Sequence, residues 1–196
     1  MIPAQEALAR LREGNRRFVA DASGSAGRPG PAQQPFAIVL GCSDSRVPAE
    51  LIFGQGFGDL FVIRVAGNIV APSQVGSVEF AAERFETRLA VVMGHTQCGA
   101  VAATLETLHE PRGHESPNLR AIVDRIRPAI EPLLSTPVAR DPAALYAAAT
   151  RANIRASVAQ LRHGSALLER RIERDGLLIV GAEYCVEEGT VEFFDD

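Results

Sequence analysis

Three short segments, Phe36–Leu40, Leu60–Val65 and Leu89–Met93, are apolar runs without alternation, rich in Val, Ile and Phe. A strand with one wet face alternates polar and apolar residues, whereas a strand covered on both faces does not. These runs therefore predict fully buried parallel strands. Between and after them, SVEFAAERFE and AVAATLETLHE carry helical spacing. Strands alternating with helices predict an α/β fold. Residues 117–175 read as mostly helical, with Pro128, Pro132, Pro137 and Pro142 marking breaks. The closing LLIVGAEYCVEEGTVEFF reads as a strand, a turn at Glu188 and Gly189, and a second short strand.

The amino-terminal stretch AQEALARLREGNRRFV places Leu8, Leu11 and Phe18 among basic residues, the pattern of an exposed amphipathic helix. ADASGSAGRPGPAQQP comes next and reads as a loop. No internal repeat is visible. The expected architecture is one domain over residues 1–196, with a central, mostly parallel β-sheet flanked by helices on both faces. Residues 1–35 form its helical arm and loop.

Composition narrows the function. The chain has 196 residues, 46% hydrophobic and 22% charged, ordinary for a soluble globular protein. A net charge of −4 argues against a nucleic-acid partner, which needs a basic face. No apolar run approaches the roughly 20 residues of a membrane span, and the first residues lack the order of a secretory signal. A cytoplasmic location is expected. Three cysteines make no disulfide framework and read as ligands, nucleophiles or buried thiols.

Two strand ends carry the chemistry. IVLGCSDSRVPAE releases Cys42, Asp44 and Arg46, and VVMGHTQCGAV releases His95 and Cys98. Asp44, two residues past Cys42, projects the same way from an extended chain. His95 and Cys98 have i, i+3 spacing, which meets on one face where a helix starts. In an open parallel sheet, residues beyond the carboxyl ends of neighbouring strands share a crevice. Two thiolates and an imidazole with a carboxylate beside them suit a tetrahedral zinc site. Either pair alone is more often core packing or a helix cap; the two together at matching strand ends favour the metal. A redox role for Cys98 is weaker, since no C-x-x-C pair exists. GQGFGD precedes a strand rather than following one, which excludes a dinucleotide loop. His109, His114 and His163 read as solvated, Cys185 as a buried thiol, and HGSALLERRIERDG as a charged helix ending at Gly176.

CSDSRVPAE followed by GHTQCGAV resembles the paired signatures of the β-class carbonic anhydrases. LREGNRRFV, FVIRVAGN and GAEYCVEEG extend the resemblance over nearly the whole chain. The resemblance implies a zinc ion held by Cys42, His95 and Cys98, with Asp44 and Arg46 as a catalytic pair. It also implies that Asp44 is a possible fourth ligand when that pair breaks. The implied activity is reversible hydration of carbon dioxide to bicarbonate. Gln33 matches a glutamine that donates to substrate oxygen, Phe61 a wall of the carbon dioxide pocket supplied across a dimer interface, and Gly99 a backbone approach at the helix start. A homodimer or homotetramer is expected. The sequence departs from relatives that bind bicarbonate at a regulatory triad: Arg64 and Tyr184 match two members, but Val39 replaces the tryptophan. Phe80 stands where plant-like members carry a tyrosine. Rival readings are a carbon disulfide or carbonyl sulfide hydrolase on the same scaffold, or a zinc-binding scaffold without turnover.

Overall fold

A computed structural model describes residues 2–20, 30–110 and 116–194. His114 and residues 21–29 of the Gly- and Pro-rich stretch lie outside the described residues. Among these residues the sheet has five strands: β1 (Ala37–Gly41), β2 (Leu60–Arg64), β3 (Leu89–His95), β4 (Leu178–Tyr184) and β5 (Val191–Phe193). Their order is β2-β1-β3-β4-β5. The first four are parallel and β5 runs antiparallel to β4. The three apolar runs thus lie side by side with β1 between β2 and β3, but β2 is an edge strand whose residues are half-buried, with Arg64 exposed, rather than the fully buried strand expected. The register aligns Gly41 with both Arg64 and Met93, so the segments leaving β1 and β3 emerge at one edge.

The helices are α1 (Ala4–Ala20), α2 (Ala49–Ile52), α3 (Pro72–Arg84), α4 (Gly99–His109), α5 (Pro117–Ile130), α6 (Pro142–His163) and α7 (Ala166–Asp175). Three of the prolines mark the expected breaks by standing in the first turn of a new helical segment, and Pro128 does not. Pro142 opens α6, where its missing N–H costs nothing, and Asp141 caps that end by accepting from the amides of Ala143 and Ala144 at 2.9 and 3.2 Å. Pro128 sits inside α5, two residues from its end, so only the last turn bears the missing hydrogen bond. Pro132 and Pro137 lie in the first turns of two short 3-10 helices.

Alternation along the strands divides the packing. Ile38, Leu40, Val92 and Ile179 face α3, α6 and α7, where Ile154, Val158 and Leu161 recur at i, i+4 and i+7 along α6. Gly94 lets α6 come close, since a Cβ there would lie 2.5 Å from Ile154 Cγ1. Val39, Val91, Met93 and Ala182 face the other way, onto the short α2 and Val47. A third cluster lies beyond the carboxyl ends of the strands: Ile69, Val101, Leu105, Ile126, Ile130, Leu145 and Ala149, from α4, α5, α6 and the segment after β2. Cys42 and Cys98 belong to it, so this cluster is the apolar backing of the site. Helix α1 buries none of its residues; its Phe18 ring meets Phe57 edge-on at 6.1 Å.

Candidate metal centre

Cys42 is the first residue past β1, His95 the last of β3, and Cys98 the residue capping α4. Strand order brings them together: their ligand atoms all lie within 4.8 Å of one another, and all three residues are buried. The i, i+3 spacing of His95 and Cys98 is spanned by a turn rather than a helix face. Gln97 adopts φ +60°, a left-handed conformation unusual for a residue with a side chain. That turn is held by the Thr96 amide donating to the Tyr184 carbonyl at 2.9 Å.

The residues fit a metal on their own chemistry. His95 Nδ1 is 2.8 Å from the Thr96 carbonyl oxygen, a contact only the Nδ1–H tautomer satisfies, which leaves the Nε2 lone pair free. Nε2 is buried without a hydrogen-bond partner, a cost that a cation at that point removes. The amide of Gly67 donates to Cys42 Sγ at 3.4 Å. Gly67 has φ +70°, and a Cβ there would sit 2.8 Å from Ile126 Cδ1 and 2.9 Å from Ala100 Cβ, so glycine is required on both counts. Tyr146 donates its hydroxyl to the Cys98 carbonyl at 2.8 Å. Arg64 clamps the first loop, donating from Nε to the Cys42 carbonyl at 2.9 Å and from Nη2 to the Asp44 carbonyl at 2.6 Å.

The two thiols divide their acidity. A hydrogen bond from the Cys98 thiol lowers the pKa of Cys42 despite burial, while the Cys42 thiolate and burial raise that of Cys98. Burial disfavours a charged His95, but the neighbouring Cys42 thiolate outweighs it and raises its pKa. A divalent cation would displace the remaining protons and satisfy all three donors. Burial first, then the neighbouring Cys98, pushes the Tyr146 hydroxyl up to about 12, so it stays a donor near neutral pH.

At the rim, Asp44 and Arg46 form a bidentate pair. Arg46 Nε donates to Oδ1 at 3.0 Å and Nη2 to Oδ2 at 2.8 Å, while the Arg46 amide adds a third bond to Oδ1 at 2.9 Å. The Arg46 hydrogen bonds hold the Asp44 carboxyl well below the usual carboxylate range. Asp44 Oδ2 is nevertheless only 3.9 Å from His95 Nε2. Arg46 also donates to Gln97, through Nη1 to Oε1 at 3.0 Å and Nη2 to the backbone carbonyl at 3.3 Å.

Two other residues singled out by sequence, Gln33 and Phe61, are elsewhere within the single chain, and a third, Gly99, is beside the site. Gln33 is exposed at the opposite end of β1 from Cys42, beside Gly58 in the turn before β2. Phe61 lies at the amino end of β2, packed at 6.1 and 5.9 Å on the rings of Phe80 and Phe85. Gly99 opens α4 next to Cys98, but a Cβ there would meet no protein atom within 4 Å, so no steric demand of this chain requires glycine. Val39 is buried among Val91 and Met93, with Tyr184 packed against that cluster. Cys185 is half-buried rather than enclosed, its Sγ 3.5 Å from Glu187 Oε2. His109 and His163 are exposed, as read from sequence. Gln97, Tyr146, Gly67 and Glu187 were not singled out. Gly67 lies inside FVIRVAGN, Gln97 inside GHTQCGAV and Glu187 inside GAEYCVEEG, whereas Tyr146 lies in no motif.

An open, mostly parallel sheet with a buried Cys2His pocket at its carboxyl edge and a carboxylate–guanidinium pair at the rim defines a zinc-dependent lyase or hydrolase. Residues 37–191 match the family profile described as carbonic anhydrase. Over 195 residues the chain is 37% identical to carbonic anhydrase 2 of Mycobacterium tuberculosis, covering 91% of this chain and 87% of that protein. Its fold resembles that of the β-carbonic anhydrase CafA of Aspergillus fumigatus, with TM-score 0.80, 24% identity, and 96% and 91% of the two chains covered. A tetrameric β-carbonic anhydrase of Sordaria macrospora superposes with TM-score 0.74 at 22% identity, covering 98% and 94%. The chain belongs to the carbonic anhydrase family, with the fold of its β class. It is a zinc enzyme of carbon dioxide hydration, and the carbon disulfide and scaffold readings are not favoured.

Proposed function

We propose that Cys42, His95 and Cys98 hold the zinc and that Asp44 and Arg46 are the catalytic pair for hydration of carbon dioxide. The observation that carries this reading is the double relation of Asp44, which is 3.9 Å from His95 Nε2 yet paired twice to Arg46. Zinc bound here supplies Lewis acidity, which takes the pKa of a coordinated water from about 15.7 to near 7. Two thiolate ligands supply more negative charge than imidazoles do and so weaken that acidification. Orientation by a nearby acceptor then matters more. Asp44, kept ionised by Arg46, accepts a hydrogen bond from the attacking oxygen and aims its lone pair at carbon. Arg46 also keeps the carboxylate out of the ligand set; when the pair opens, Asp44 is within reach to serve as a fourth ligand. Gly99 leaves open space beside Cys98 in which substrate can approach.

Gln33 and Phe61 belong to the same reading as contributions from a second copy. Their position at the amino ends of the strands, remote from their own Cys42, supports a site completed by a partner, with Gln33 donating to substrate oxygen and Phe61 walling the pocket. A homodimer or homotetramer is the consequence, and the exposed Leu11 and Phe18 on α1 support an arm lying on a neighbour. Among the described residues no helix is long and apolar enough to cross a membrane. We place the protein in the cytoplasm, as one domain over residues 1–196.

The test is stopped-flow hydration with Asp44→Asn, zinc being measured on the same sample. Full zinc with about a hundredfold loss of kcat is expected from a lost general-base contact. Unchanged kcat would remove Asp44 from the mechanism.

A further inference from the structure

The two residues between His95 and Cys98 are gripped from outside the site. Glu187 lies in the turn joining β4 to β5, which is closed by the Gly189 amide donating to the Cys185 carbonyl and the Cys185 amide to the Thr190 carbonyl, both at 2.9 Å. One oxygen of Glu187 accepts from Thr96 Oγ1 at 3.1 Å, and Thr96 Oγ1 in turn accepts from the Val186 amide at 3.0 Å. The other oxygen accepts from Gln97 Nε2. The far end of that amide, Gln97 Oε1, accepts from Arg46 Nη1 at 3.0 Å.

The chain Glu187–Gln97–Arg46–Asp44 has a fixed polarity. A carboxylate only accepts and a guanidinium only donates, so an amide between them can face only one way. Glu187 takes the NH2 end and thereby turns the oxygen toward Arg46. Without Glu187, Gln97 loses the anchor at its NH2 end, and Arg46 alone is left to hold the amide oxygen. We propose that Glu187 is a positioning residue for the Asp44–Arg46 pair, acting through Gln97. It anchors Arg46 on the side away from Asp44, so the guanidinium presents Nε and Nη2 squarely to the carboxylate. The inference rests on the reading of Asp44 and Arg46 given above.

The test is a double-mutant cycle of Glu187→Ala and Gln97→Met, with Glu187→Gln as the conservative variant. Three quantities are read: kcat/KM for carbon dioxide hydration, zinc per chain, and the exchange rate of the Arg46 Nε–H by 15N NMR. Each single variant is expected to lose about fivefold in kcat/KM, the scale of one hydrogen bond, and the double variant no more than either. Arg46 Nε–H exchange should accelerate by a similar factor with zinc fully retained, and Glu187→Gln, which still offers an oxygen, should stay within about twofold of the parent. Multiplying losses, unchanged Arg46 exchange, or loss of zinc in Glu187→Ala would each overturn the proposal. If Glu187→Ala does not fold, Gln97→Met decides, because it cuts the same chain and must accelerate Arg46 exchange. Asp44→Asn separates the two readings. Full activity there defeats the Asp44–Arg46 pair itself, whereas an inactive Asp44→Asn beside an unaffected Glu187→Ala defeats only the role of Glu187.

Discussion

Replacing Gly67 by alanine tests how the backbone supports the metal ligands. At φ +70° the new residue occupies the left-handed region, which costs about 1–2 kcal/mol for a residue with a Cβ. The added Cβ would also begin 2.8 Å from Ile126 Cδ1 and 2.9 Å from Ala100 Cβ, both closer than real carbons approach. Ile126 is fully buried with little room to retreat, so overpacking adds about 1–3 kcal/mol. The expected loss is about 2–5 kcal/mol, read by urea denaturation of the zinc-free protein at fixed protomer concentration. Relief of the clash by backbone movement would draw the Gly67 amide away from Cys42 Sγ, so zinc affinity should fall as well. Gly99→Ala is the internal control. Its Cβ meets nothing within 4 Å and its φ is not left-handed, so stability should change by less than about 1 kcal/mol. A Gly67→Ala protein as stable as Gly99→Ala would refute the packing argument.

Cys42→Ala and Cys98→Ala are expected to lose zinc and Cys185→Ala to keep it, checked by elemental analysis; wild-type zinc in either of the first two would defeat the ligand assignment. Arg46 holds the folded-state pKa of Asp44 below its unfolded value of about 3.9. The pair's contribution is therefore present above that value and fades only as pH falls below it, toward the folded pKa. The 13C shift of the Asp44 carboxyl should be flat from pH 8 to pH 5, and a midpoint inside that window would contradict the pairing. Val39 is buried and offers no hydrogen-bond donor, and Arg64 already serves two carbonyls, so bicarbonate gains little differential hold on any closed state. Its inhibition should be hyperbolic, as for a simple product; a sigmoidal curve would show that Val39 does not decide the matter.

The elements themselves were legible in local pattern. Burial on both faces erases alternation, which marked β1 and β3, whereas β2 carries an apolar run at the sheet edge and is only half-buried. Parallel strands in register share an edge, so Cys42, His95 and Cys98 meet in one crevice once β1 and β3 are neighbours, and that adjacency is set by the strand order. Local pattern failed where two conformations answer the same spacing. His95 and Cys98 are joined by a left-handed turn at Gln97, since Thr96 is tied to Tyr184 on β4, a strand more than eighty residues away in sequence. Pro128, expected to mark a break, lies inside α5 two residues from its end. Tyr146 on the Cys98 carbonyl lies in no motif, and Glu187, although inside GAEYCVEEG, has nothing in its local pattern that points to Gln97. Their partners are 48 and 90 positions distant, and only strand order and the lie of α6 bring them together. Side-chain type and spacing are properties of a few consecutive residues, whereas a hydrogen bond between distant loops depends on which strands become neighbours. That choice is made by burying the whole sheet at once.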